Sequence, residues 1–169
     1  MRIIVGILLM TAFVMVSWAI ITRYAGGWGV PYFSFTTERG SPCTNNLTGY
    51  TCRPMTLADV EFYADLDLPA NSRVLDATYR STHDYQLEAR LQVPAATAAP
   101  ALRGLQDSFG ACQPGHLAPM STTGLTAVCV MANDDAVTGD AETSSRLYTV
   151  GTGIRKDGVR VIVMSVKSR

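Results

Sequence analysis

Tyr85-Gln86-Leu87-Glu88-Ala89-Arg90-Leu91-Gln92-Val93 alternates without a break. Tyr85, Leu87, Ala89, Leu91 and Val93 fall on one side of a period-two chain, and Gln86, Glu88, Arg90 and Gln92 on the other. The pattern fits a half-buried antiparallel strand, because a strand covered on both faces reads as continuously apolar. Upstream, Leu75, Ala77 and Tyr79 alternate with Val74, Asp76, Thr78 and Arg80, and the intervening Ser81-Thr82-His83-Asp84 is short enough for a hairpin loop. Downstream, Leu125 to Ala132 is a continuous apolar run expected to form a central strand. Two long β-rich runs, Arg146 to Arg155 and Val159 to Lys167, flank Lys156-Asp157-Gly158. A two-residue Asp-Gly loop there would set Arg155 opposite Arg160. A three-residue loop with Gly158 in the left-handed region avoids that like-charge pair and is the expected form.

Helix signals interrupt the strands twice. Thr56 followed by Asp59 is a carboxylate variant of the capping box, with Met55 and Val60 at the staple positions, and this first helix ends near Ala64. Thr97 is the expected cap of a second helix that has Pro100 in its first turn, Ala98, Leu102, Leu105 and Phe109 on one face, and Gly110 as its stop. The expected architecture is α+β, a two-layer domain over residues 56–169 in which a mainly antiparallel sheet of about five strands is covered by one or two helices. Residues 24–55, with Gly26, Gly27, Gly29, Pro31, Gly40 and Pro42, read as a connector interrupted by one short strand around Tyr32-Phe33-Ser34-Phe35.

The first 23 residues read as a transmembrane anchor. Ile3 to Ile21 carries no charge, and as a helix at ~1.5 Å per residue it nearly covers a hydrocarbon core of ~30 Å. Thr11 and Ser17 can bond back to the preceding turn, and Trp18, Tyr24 and Trp28 cluster where amphipathic rings favour the headgroup layer. A cleaved signal peptide, which would make the protein secreted, is the alternative. The apolar stretch is long for a signal, and Ser17-Trp18-Ala19 is a poor cleavage site because two more isoleucines follow it. The expected topology is single-pass, with the N-terminus cytoplasmic and the domain outside the cell membrane. Arg2 against Arg23 gives little positive-inside bias, so the cysteines decide the orientation. Cys43, Cys52, Cys112 and Cys129 all follow the apolar run, an even number suited to an oxidising compartment. Four cysteines allow three pairings, of which the sequential one ranks first. It closes a small turn-rich loop at Cys43–Cys52, and at Cys112–Cys129 a staple worth about 3 kcal/mol.

Chemistry is harder to find. Lys and Arg total 14 and so do Asp and Glu, without the basic excess that a nucleic-acid partner demands. His83 and His116 are the only histidines, which caps a histidine metal site at two ligands and leaves a nucleophile–histidine pair as the main enzymatic option. Ser81, Ser108, Ser121 and Ser144 are available, but none lies in a G-x-S-x-G elbow. Asn133, Asp134, Asp135, Asp140 and Glu142, with Gly139, offer the oxygen donors calcium takes, at a spacing unlike the EF-hand loop. Asp134, Asp135 and Asp140 are the calcium candidates; no cofactor signature is present. Gln86, Glu88, Arg90 and Gln92 form a polar strand face on which a ligand could sit, although an exposed sheet face carries such residues by default.

Leu66-Asp67-Leu68-Pro69 leading into Val74-Leu75, the Tyr85–Val93 strand closed by Pro94, and the helix ending in Phe109-Gly110 carry a resemblance. Over residues 57 to 166 the chain resembles uncharacterised small secreted or membrane-anchored proteins of high-GC actinobacteria. That resemblance implies a cell-envelope setting and lends no catalytic residue. The expected role is a non-enzymatic binding or assembly module with an envelope protein as partner. The competing expectations are a small hydrolase using a loop histidine and a calcium-binding domain.

Overall fold

The computed structural model describes residues 2–133 and 146–168. Helix α1 (Arg2–Tyr24) leads into three short strands, β1 (Ser34–Thr36), β2 (Pro42–Asn45) and β3 (Tyr50–Cys52). Helix α2 (Leu57–Ala64) and the hairpin β4 (Arg73–Ser81) and β5 (Tyr85–Val93) follow. A single 3-10 turn (Ala95–Thr97) opens α3 (Ala98–Phe109), and β6 (Thr126–Ala132), β7 (Arg146–Ile154) and β8 (Arg160–Ser168) complete the chain.

Among the described residues there is one sheet of eight strands rather than about five, in the order β1-β2-β3-β4-β5-β8-β7-β6. Every ladder is antiparallel. The additional strands come from the expected connector, which contributes three of them instead of one. Strands of three or four residues are too short for alternation to register, but pairing and a crosslink hold them: Cys43 stands opposite Cys52 and is bonded to it, and Cys52 pairs with Tyr79 of β4. Both cysteine pairs are sequential, Cys43–Cys52 and Cys112–Cys129.

Both α2 and α3 lie on the same face of the sheet. Leu87, Leu91, Ile162, Met164 and Val166 point into that layer, and Val60, Leu105 and Phe109 meet them from the helices, all buried. In β5 the burial alternates as its sequence requires, with Leu87, Ala89, Leu91 and Val93 inside and Glu88 and Arg90 outside. In β4 the alternation breaks at one residue. A register shift between Val74 and Asp76 leaves Leu75 exposed while Val74 packs on the core, so Leu75 does not share the Ala77 and Tyr79 face expected for it. The β7–β8 hairpin has the three-residue loop: Ile154 pairs with Arg160, Arg155 donates to the Val159 carbonyl at 2.9 Å, and Gly158 adopts φ 80°.

Strand β6 stands at the sheet edge, not at its centre. A continuous apolar run reports that both faces are covered; it carries no information on whether both edges are paired. Met131 belongs to the helix-covered core, while Val130 and Ala132 are buried on the opposite face. The outer edge is occupied by Gln113, whose backbone N–H donates to the Val130 carbonyl and whose Nε2 donates to the Ala132 carbonyl, each at 2.7 Å. An edge satisfied this way offers little to a second sheet.

Polar groups fix the helices. Thr56 Oγ1 accepts the Asp59 N–H at 3.2 Å, as a cap should, but the reciprocal half of the capping box is absent. The Thr56 N–H goes instead to Ser41 Oγ at 2.9 Å, and the fully buried Asp59 carboxylate accepts from Thr37 Oγ1 at 2.6 Å and from the Ser41 N–H at 3.2 Å. Thr97 makes no side-chain cap for α3; its hydroxyl donates to Asn71 Oδ1 at 3.0 Å, because the 3-10 turn has already begun the helical path. Arg146 reaches the C-terminal ends of both helices, with Nη1 on the Ala64 carbonyl at 2.8 Å and Nη2 on the Ser108 carbonyl at 3.3 Å. A cation is favourable there because the last carbonyls of each helix are unpaired and carry its negative end. On β8, Arg160 is buried under the start of α3, donating Nε to the Ala98 carbonyl at 2.8 Å and Nη1 to Thr152 Oγ1 at 3.2 Å. Burial lowers its pKa.

Candidate functional site

The uncovered face of the sheet carries the outward residues of β4, β5, β8 and β7. Alternation places Asp76 and Thr78, Glu88 and Arg90, and Val161, Val163 and Ser165 side by side across three strands. Among the described residues helices cover only the other face, and the loop between α3 and β6 lies on this one.

That loop is strapped down at its start and seated along its length. Gly110 ends α3, the Cys112–Cys129 disulfide and the two Gln113 bonds fix the chain to β6, and the loop then crosses onto the open face. Gly151 and Gly153 of β7 form the seat. A Cβ on Gly151 would stand 2.6 Å from Pro119 Cδ, and one on Gly153 would stand 3.1 Å from Leu125 Cβ. Glycine is therefore needed at 151 for the close approach of Pro119, not for a special backbone angle. Gly151→Val should lift the strap and lower stability by about 1–3 kcal/mol, the usual range for overpacking. Thermal melting of the full chain in detergent, with hydrogen exchange over residues 113–125, reads both effects.

Between strap and strands lies a trough. One part, about 700 Å³, has Val161, Val163 and Leu75 on one side, Met120 and Leu125 on the other, and the hairpin residues Arg155, Lys156 and Asp157 at its end. A second part, about 360 Å³, continues past Arg90 and Val163 to Asp76, Thr78, Glu88 and Ser165, with Pro119 above. Arg90 and Val163 line both parts. Ion pairs occupy the ends, Arg53 with Asp76 at 3.2 Å and Arg155 with Asp157 at 2.8 Å. Among the described residues Arg90 makes no ion pair, although Asp76 stands opposite it in the β4–β5 ladder and Glu88 lies on the same face of β5.

The residues singled out from sequence divide around this trough. Glu88 and Arg90 line it, and so does Ser121. His83 sits in the β4–β5 turn and His116 in the strap, and neither lines the trough; His116 Nδ1 is 3.2 Å from the carbonyl oxygen of Leu117. Ser81 closes β4 and Ser108 lies in the last turn of α3, so the serines are dispersed over the molecule. The calcium candidates Asp134, Asp135 and Asp140, with Glu142 and Ser144, lie outside the described residues. Sequence reasoning missed the strap and its glycine seat; the available signal was Gly151-Thr152-Gly153 inside an otherwise apolar β-run.

On the helix-covered face a tyrosine cluster joins the short strands to the main sheet. Tyr63 of α2 stacks on Tyr79 at 3.8 Å between ring centroids, and Tyr50 and Tyr85 flank Tyr79 at 5.9 and 6.3 Å. Burial first, and then the neighbouring Tyr50, push the Tyr79 phenol up to about 12. These rings spend their faces on one another, so they build structure and offer no binding surface.

No known protein family, curated protein or solved structure matches this chain. Two features stand on the structure itself. Helix α1 is long and apolar enough to cross a membrane, with a mean hydropathy of 2.5 over its most apolar 18 residues, a character compatible with either an anchor or a signal sequence. The two disulfides mark the remainder as a domain of an oxidising compartment.

Proposed function

We propose that the protein is a single-pass membrane protein, N-terminus inside and domain outside, and that it works as a non-enzymatic binding module of the cell envelope. Its ligand is an extended segment of an envelope protein lying in the open-face trough. The observation that supports this reading is the trough itself: an apolar floor at Val161 and Val163 beneath a strap, with Arg90, which makes no ion pair among the described residues, lining both of its parts. A segment with apolar side chains for the floor and one carboxylate for Arg90 matches that chemistry.

Photo-crosslinking in native membranes tests it, with a benzophenone side chain placed at Val163 and, as a control on the helix side, at Arg103. The expected result is a discrete heavier adduct from position 163 alone, reduced about tenfold by Arg90→Glu. Recovery of the chain alone from both positions, at every detergent strength, would reject the binding role.

A further inference from the structure

We infer that the end of the sheet beside the α1 junction is a second membrane contact, with Tyr32 and the β2–β3 turn residue Leu47 joining Trp28 in the lipid headgroup layer. This rests on the reading of α1 as an uncleaved anchor. It adds that the domain is held against the bilayer in one orientation instead of swinging from a tether.

The first support is the junction itself, where the sequence reads as a Gly- and Pro-rich connector. The helical path continues past Tyr24, with Ala25 donating to the Ile21 carbonyl at 2.8 Å and Trp28 to the Tyr24 carbonyl at 3.1 Å. Ala25 is fully buried, although the 21 residues before it have no buried side. Asn45 of β2, 5% exposed, donates Nδ2 to the Gly26 carbonyl at 2.7 Å, and its own carbonyl accepts the Tyr32 N–H at 2.8 Å. A Cβ on Gly26 would overlap the Ser34 backbone, so the end of the helix lies directly on β1. A buried side-chain amide bonded across this joint is a clamp, because breaking it would strand a polar group.

The second support is what the clamp presents. Trp28, Tyr32 and Leu47 are 64%, 76% and 76% exposed, far more than large apolar groups of the domain core. Tyr24 and Trp28 stack at 6.1 Å. The β1–β2 register sets Ser34 opposite Thr44, which puts Tyr32 next to Asn45 and the turn that carries Leu47 at the same end of the sheet as α1. These apolar groups are continuous with an unburied spanning helix, and lipid is the occupant that covers both. Aromatic rings belong in the headgroup layer, and an apolar turn tip flanked by Asn46 and Thr48 suits a depth of ~5–10 Å at the headgroup–acyl boundary.

Single-tryptophan reporters in the full chain, reconstituted into phosphatidylcholine–phosphatidylglycerol vesicles, test the contact. Trp18→Phe leaves Trp28 as reporter; Leu47→Trp and, as an exposed control on the strap, Leu117→Trp are built in a background lacking both native tryptophans. Leu47→Trp is expected to emit to the blue, to be quenched about twofold by lipids brominated near the headgroup, and to resist aqueous iodide, with Leu117→Trp behaving oppositely. Iodide quenching of Leu47→Trp equal to that of the control, with Trp28 still quenched by bromolipid, would overturn this inference and leave the anchor standing. Loss of bromolipid quenching at Trp28 as well, with release of the chain by alkaline carbonate, would overturn both. Shielding of Leu47→Trp from iodide without bromolipid quenching would assign the surface to protein and overturn the lipid assignment.

Discussion

Asp59→Ala lowers the stability of the domain by on the order of 3 kcal/mol, which for a domain of this size moves the melting midpoint down by about 10 °C. The carboxylate is fully buried and holds together parts of the chain distant in sequence: Thr37, Ser41 and the Thr56 cap. Its removal takes away the acceptor of the half-buried Thr37 hydroxyl and one of two acceptors of the Ser41 N–H, which keeps its bond to Thr37 Oγ1 at 2.9 Å, and it unties the β1–β2 connection from α2. The pH dependence distinguishes this account from a simple cavity. Burial works to raise the Asp59 pKa, but hydrogen bonds from Ser41, Thr37 and Thr56 outweigh it, so the native pKa lies below the ordinary value of 3.8. The unfolded state therefore binds the proton more readily. The stabilisation is complete above that ordinary value and is lost as pH falls through the lower native one. Melting the wild type and Asp59→Asn side by side between about pH 3 and pH 7 should give curves that converge at the acid end. Parallel curves would show that the carboxylate charge does not contribute.

Replacing Cys112 and Cys129 together by serine costs about 3 kcal/mol in the chain-entropy model, and it also disturbs the trough. The bond spans 17 residues and fixes the start of the strap beside β6, where Gln113 closes the sheet edge. Without it the strap is held by the Gln113 bonds and by Pro119 and Leu125 on their glycine seat. Faster exchange over residues 113–132 and a greater tendency to self-associate should accompany the lower melting point, because the Gln113 bonds that close the β6 edge open more often once the staple beside them is gone. The Cys43–Cys52 pair closes a shorter loop between strands already hydrogen-bonded to each other, so its loss should cost a similar amount without changing exchange in the strap. Exchange that changes equally in both double variants would remove the link between the Cys112–Cys129 staple and the trough.

Local physics made much of this chain legible. The alternation of Tyr85 to Val93, the Gly158 loop chosen to keep Arg155 from facing Arg160, the span of uncharged residues from Ile3 to Ile21 and the even set of cysteines each express a rule that acts over a few residues. Each has its counterpart in the fold: strand β5, the three-residue hairpin, helix α1 and two disulfides. Only the tertiary structure decided the remainder, because it depends on which surfaces meet. β1, β2 and β3 are too short to carry a period and exist through their pairing with one another, the docking of β3 on β4 and the Asp59 network. The second half of β6, Cys129 to Ala132, is buried on both faces, yet the strand stands at the edge because β5 pairs with β8 across a long stretch of sequence. Arg90 reads from sequence as one more solvated strand residue. It lines a trough only because a distant loop lies over two glycines of β7 and walls the open face.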